Sequence, residues 1–409
     1  MKLLKRIFII VFLLYISGLP NRLGLLSLAA NEIMIIFFAV TGLFSLAFYL
    51  ALNRYRVKNI DFLLLFLLFI YPFLSSLTAW IIIGQPLYMG LLTFRGSFVL
   101  LTYYTLIILG FSNKSVLSYT GTTVVFIIIT VIVLFFIFKI NDFNLLFRKG
   151  TIVVKYGKTI TKGIQFSGFT CLFIIPYIAS WVRYFEKNKL RNLVFPLFIF
   201  LFSILISKAR NEILTLAVIP LFMYYLKYKM FDVKFLIYTS LLVFLFFTII
   251  LTDNVVSRNF SGLLQPASLD YAHKTGDYSA YLRFGEIKAG WKWFLKYPVT
   301  GVGSASYRFH NGYMGFISDF FFVADIGIVG ILVKGGIILL LFYYLFYTFL
   351  FRFFNNEDIF SITGRYITFA LLIELLIGND YLFNYTGVFV VLFMLNRSID
   401  LSVKRSQIQ

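Results

Sequence analysis

Apolar residues run along this chain in long unbroken stretches, separated by short polar loops. A helix rises ~1.5 Å per residue, so roughly twenty apolar residues cross a bilayer. The short alternating segments of a transmembrane barrel are not the pattern here. Spans are predicted at about residues 7–19, 32–52, 62–83, 97–111, 116–138 and 166–185. Further spans are predicted at about residues 193–206, 213–226, 235–251, 326–351, 367–377 and 383–395. The expected class is all-α: a polytopic integral membrane protein of about twelve transmembrane helices, forming a single domain over residues 1–409.

The polar punctuation sets the expected topology. Lys2, Lys5 and Arg6 precede the first apolar run and hold the amino end on the cytoplasmic side. That run, with Leu28-Ala29-Ala30 after it, loosely resembles a signal peptide; the reading adopted is an uncleaved first span. NRYRVKN, EKNKLRN and the set Lys227, Lys229 and Lys234 mark further inner loops. Arg397, Lys404 and Arg405 place the carboxyl end inside as well. The loop from Lys139 to Lys162 departs from the rule, because parity puts its cations outside. Either the span count slips by one there, or the charges face an anionic ligand or lipid surface. Within it, TIVVKYGKTI reads as a short interfacial strand or helix.

One outer loop, about residues 252–325 between the ninth and tenth spans, is too long for a turn. Its segment RFGEIKAGWKWFLKY places apolar residues at helical spacing with cations on another face, and Pro298 ends that helix. The interruption around it carries His310, Trp291, Trp293 and a run of Lys and Arg among aromatics.

Composition narrows the function. Hydrophobic residues make up 60% of the chain and charged residues only 13%, against about 25% charged in soluble proteins. A formal net charge of +20 on a soluble protein would suggest nucleic acid. Here much of that charge lies in short loops, where it reads as topology, and no nucleic-acid partner is expected. Cys171 is the single cysteine, which excludes an intrachain disulfide and a thiol metal site. No Asp-x-Asp pair occurs, so neither a metal nor another cofactor is expected.

Candidate chemistry collects at the outer face. Arg210 sits in the tight turn Ser207–Glu212 beside Lys208. Pairing with Glu212, or snorkelling of both cations to the interface, is the plain reading. The functional reading is an anion site, since a guanidinium pairs bidentately with phosphate oxygens. Arg283 opens the amphipathic helix, and its plain reading is a solvated charge. Gly301 and Gly303 after Pro298 either form a turn or let backbone amides approach a phosphate. His310 is exposed, structural, or a proton acceptor at neutral pH. Asp319 and Asp325 precede the tenth span, and Asp325 suits its N-cap. Lys334 and Glu374 lie inside apolar runs, where they either pair with each other or serve a site. Gly335 and Gly336 next to Lys334 suit a kink or close packing.

In order, these pieces resemble the O-antigen polymerase and O-antigen ligase superfamily. The matching stretches are Ser207-Lys208-Ala209-Arg210, Arg283 with Trp291, Pro298-Val299-Thr300-Gly301-Val302-Gly303, His310-Asn311, and Asp325-Ile326-Gly327-Ile328-Val329-Gly330. They cover about the last half of the chain; the first half matches only in being apolar. His310 lies farther before Gly327 than the family's pattern, which leaves Asp319 or Asp325 as substitutes for its role. The resemblance implies a metal-independent membrane glycosyltransferase with a glycan donor on undecaprenyl pyrophosphate. The expected activity is polymerisation of lipid-linked repeat units into O-antigen, capsule or exopolysaccharide at the outer face of the bacterial cytoplasmic membrane. It assigns the pyrophosphate to Arg210, Arg283, Lys208 and Lys334, and proton transfer to His310, Asp325 or Asp319. Expected partners are the lipid-linked oligosaccharides, the membrane, a chain-length regulator and a flippase. The alternatives are the ligase of the same superfamily and a flippase or other transporter of lipid-linked oligosaccharides. A transporter would carry charges along the interior of several spans, whereas here they gather at one face.

Overall fold

The computed structural model describes residues 2–22, 27–52, 59–137, 152–155, 158–161, 169–203, 210–228, 279–319, 321–354, 358–377 and 386–396. Outside them lie Lys208, the ninth span, the first part of the long outer loop and the basic carboxyl tail. The side chains of Arg210 and Asp325 are also outside the description.

Among the described residues the regular secondary structure is helical apart from one hairpin. In chain order the helices begin with α1 (Lys2–Ile16), α2 (Leu19–Arg22), α3 (Leu28–Leu52), α4 (Asn59–Leu65) and α5 (Tyr71–Ile83). Next come α6 (Leu87–Thr93), α7 (Thr102–Ile108), α8 (Asn113–Ile137), α9 (Phe169–Lys187) and α10 (Arg191–Phe202). The series closes with α11 (Arg210–Tyr228), α12 (Ser279–Lys296), α13 (Gly327–Phe353), α14 (Ile359–Ile377) and α15 (Thr386–Asn396). Residues 29–52, 66–83, 113–133 and 327–352 are each long and apolar enough to cross a membrane. This is an all-α polytopic membrane protein. The hairpin pairs β1 (Ile152–Lys155) with β2 (Lys158–Thr161) antiparallel, so TIVVKYGKTI takes the strand alternative.

Several elements differ from the hydropathy reading. The third span joins α4 to α5 through a π-helical turn, Phe66–Ile70. Gly84 ends α5 in the left-handed conformation, its N–H returning to the Trp80 carbonyl, as glycine does at helix ends. The loop expected up to Arg95 is instead mostly the helix α6, which packs back along α5. The chain then bends by 49° into a 3₁₀ stretch, Arg95–Leu101, that leads into α7. The eleventh span begins at Ile359 rather than near Ile367, because the polar residues of SITGR are helical too.

Side-chain contacts sort the helix ends into two groups. Lys5 donates to the Leu109 carbonyl, and Asn113 Nδ2 reaches the Leu395 carbonyl at 3.4 Å. At the other end Glu32 meets Arg95, and Gln85 meets Ser304 and Ser306. Between them lies one apolar core running from Ile9 and Phe12 to Leu392 and Phe393. A smaller core of Val302, Phe321, Ile326 and Val333 sits under the long loop, joined by Ile82, Ile83 and Trp293. Its burial helps tie the loop to α5, α12 and α13, each full side chain contributing about 1.5–3 kcal/mol.

Candidate functional site

The site region grows from a break in α13. Gly336 has φ 60° and ψ −157°, which interrupts the helix inside its apolar run. Such a conformation is open essentially to glycine alone. A break exposes backbone groups that a bilayer cannot hydrate, so each must find a protein partner. The partner is the segment after Pro298. Val302 N–H donates to the Val333 carbonyl at 2.7 Å and Gly303 N–H to the Lys334 carbonyl at 3.0 Å. In return Ile337 N–H donates to the Pro298 carbonyl at 2.9 Å and Ile338 N–H to the Val299 carbonyl at 3.2 Å. Residues 298–303 thus complete the broken helix like a strap.

This arrangement corrects the phosphate-cradle reading of Gly301 and Gly303. The Gly301 amide bonds the Tyr297 carbonyl, and those of Val302 and Gly303 bond α13. The glycines are there for close approach. A Cβ on Gly301 would lie 2.5 Å from the Val333 oxygen, and one on Gly303 would lie 2.3 Å from the Ser75 oxygen. The Gly335-Gly336 pair gives both the kink and the close packing expected of it.

Beyond the strap, residues 304–306 are bolted to the first half of the chain. Buried Gln85 donates from Nε2 to the Ser304 carbonyl at 2.9 Å and accepts the Ser306 N–H on Oε1 at 2.6 Å. The Ser304 and Thr93 hydroxyls meet at 2.8 Å. Gly90 leaves room beside Ser76 and the Gln85 amide. Tyr313 closes the segment by donating to the Gly303 carbonyl at 2.5 Å.

From this anchor the chain enters the His310 turn. Arg308 N–H donates to the Ser306 hydroxyl, and Gly312 N–H to the Phe309 carbonyl. His310, Asn311 and Gly312 are consecutive at positive φ, 45°, 60° and 61°. For the two non-glycine residues this strain costs of order 1–3 kcal/mol each. Gly315 supports the turn, because a Cβ there would overlap the His310 carbonyl. The imidazole itself is exposed and packs edge-on against Phe309, ring centres 4.4 Å apart. Asp319 is exposed farther along.

The remaining charges arrive from separate elements. Arg283 lies exposed on α12. The buried Glu286 on the same helix accepts the Phe322 N–H at 3.2 Å. Lys334 is half-buried on α13, its ammonium 5.5 Å from the centre of the Phe94 ring. Adjacent Arg95 grips Glu32 through Nε at 2.8 Å and Nη2 at 2.7 Å, while Nη1 donates to the Leu92 carbonyl. Arg95, Glu32, Arg308, Gln85 and Glu286 were not singled out from the sequence. A charge at each predicted span edge was the available signal for the first two.

Arg210 begins α11. Asp325 ends a short 3₁₀ turn, Val323–Asp325, and the residue at the cap of α13 is Ile326, not Asp325. Gly327 starts the helix at φ 51°, and Gly330 leaves space for the Val323 carbonyl. The two glycines that open the span therefore seat that turn on the helix. Among the described residues no hydrogen bond or ion pair links Arg283, His310 and Asp319 to one another. No group of three His, Cys, Asp or Glu side chains forms among them either.

Residues 195–344 match the family model described as O-antigen ligase. That interval runs from α10 past the break in α13 and contains every motif piece named above. No curated protein matches the chain.

Proposed function

We propose that this chain, placed in the O-antigen polymerase and ligase superfamily by its 195–344 segment, couples lipid-linked glycan repeat units at the outer face of the bacterial cytoplasmic membrane. Both termini lie on the cytoplasmic side in this reading. The donor is a glycan on undecaprenyl pyrophosphate, and the acceptor is a sugar hydroxyl on a second lipid-linked unit. The acceptor oxygen forms a bond to the anomeric carbon, and the bond from that carbon to the diphosphate breaks. The electron pair leaves with the diphosphate, and Arg210 and Arg283, aided by Lys208 and Lys334, offset the growing charge. The sugar passes through an oxocarbenium-like state. His310 takes the acceptor's proton, or Asp319 or Asp325 takes it instead.

The observation that carries this reading is the His310 turn. An exposed imidazole is held in a strained backbone that Ser306, Gln85 and the strap fix in place. Strain of this kind persists where the surroundings over-determine it, and it gathers at working sites. The description of the matched family favours a second reading, transfer of the finished glycan to a different acceptor.

Arg283→Ala and His310→Ala, made singly in a strain lacking the native gene, are expected to cut polymer formation by roughly 100-fold each. Glycan ladders on gels measure this, with membrane protein levels checked alongside. Long chains at normal levels from both variants would remove these residues from the reaction. Arg210→Ala tests the other half of the diphosphate clamp. A ligase would instead leave lipid-linked polymer intact and lose only its transfer to the final acceptor.

A further inference from the structure

We infer that α12 is an interfacial helix, seated in the outer headgroup layer of the bilayer and held there by anionic phospholipid. The inference is independent of the reaction. Glu286, Gly290 and Phe294 face the protein. A Cβ on Gly290 would lie 3.0–3.3 Å from Val329, Val333 and Ile326. These are the residues around the first turns of α13, a membrane span, so α12 rests at the level where that span leaves the hydrocarbon.

The opposite side of α12 has two ridges. Phe284, Ile287, Trp291 and Leu295 form the first, at 52%, 40%, 46% and 61% exposure. Lys288, Lys292 and Lys296, each exposed and one turn apart, form the second beside it. The two ridges touch, with the Lys288 ammonium 5.6 Å from the centre of the Phe284 ring. Lys296 sits 5.1 Å from the Trp293 ring and 5.3 Å from the Tyr297 ring.

Neither water nor hydrocarbon suits such a surface alone. Water leaves a row of large apolar side chains unburied, and the bilayer interior leaves the ammonium groups without hydration. Only a boundary accommodates both, with the apolar ridge among the upper acyl segments and the lysines at phosphate height. The lysines carry no carboxylate neighbour along their ridge. Their complement is therefore a negative headgroup rather than a zwitterionic one.

The test uses the full chain in nanodiscs of phosphatidylglycerol and phosphatidylcholine. In a Cys171→Ser background, Leu295→Cys receives a spin label on the exposed ridge. The expected result is greater accessibility to oxygen than to a water-soluble nickel relaxant, at a depth near the lipid carbonyls. Preferential access by the nickel reagent would overturn the proposal, since the helix would then stand in water. Access by neither reagent, or broadening between labels on two chains, would overturn it too, because protein would cover the ridge. A second variant replaces Lys288, Lys292 and Lys296 with Ser and leaves the apolar ridge intact. Spin-labelled lipid should then lose its preference for phosphatidylglycerol at the protein boundary by roughly fivefold per lysine at low salt. An unchanged preference would refute the role given to the lysines.

Discussion

Gly336→Ala is expected to dismantle the outer half of the protein and to abolish the glycan coupling proposed for it. The backbone there lies at φ 60° and ψ −157°, where an L-residue costs about 3 kcal/mol from local sterics alone. The added methyl would also sit 2.3 Å from the Val299 oxygen and 2.7 Å from the Gly301 nitrogen. Both neighbours are backbone held by hydrogen bonds, so neither can swing aside. Overpacking of this sort adds roughly 1–3 kcal/mol. The sum of about 4–6 kcal/mol is a large share of the 5–15 kcal/mol that typically holds a domain together. Thermal unfolding in detergent and glycan ladders in cells check the two halves of the expectation. Gly121→Ala on α8 is the control, because nothing lies within 4 Å of its Cβ position. There the substitution should be neutral or stabilise by up to about 1 kcal/mol. A Gly336→Ala protein with unchanged unfolding temperature and full ladders would show that the helix is not broken there.

Gln85→Leu is expected to be nearly as damaging, although Gln85 is assigned no substrate contact. The change leaves the Ser304 carbonyl and the Ser306 N–H without their amide partner. Each orphaned buried group costs about 1–3 kcal/mol. Ser306 also starts the His310 turn, so a loosened anchor should shorten the product as well as lower stability. Ser304→Ala provides the comparison. It removes only the hydroxyl contact to Thr93, and the loss should stay near 1 kcal/mol. Equal effects from the two substitutions would mean that Gln85 is not the main link between the halves of the chain.

Much of this architecture could be read from residue patterns because membranes impose a simple code. Length and apolarity locate the spans, and the amphipathic period of RFGEIKAGWKWFLKY locates α12. The strap was hidden for a different reason. Its bonds join residues near 300 to residues near 335, and to Ser75 and Gln85 more than two hundred positions away. Backbone groups make most of those contacts whatever side chain they carry, so local sequence offers no measure of their partners. The Gly335-Gly336 pair announced a kink but not what would enter it. For the same reason Pro298-x-x-Gly-x-Gly looked like a place for phosphate, when its amides serve another stretch of backbone. The first half of the chain reads as only apolar, yet Gln85, Thr93 and Arg95 hold or flank the region that carries the motifs.

The strap has a mechanical corollary. Because residues 298–303 supply hydrogen bonds that α13 lacks at Gly336, the aqueous loop and the buried helix cannot open one without the other. Pulling on the loop from outside would unzip a helix inside the bilayer, where stray amides find no water. The amides of Val302, Gly303, Ile337 and Ile338 should therefore trade their hydrogens for deuterium as a single slow group, the behaviour of one cooperative folding unit.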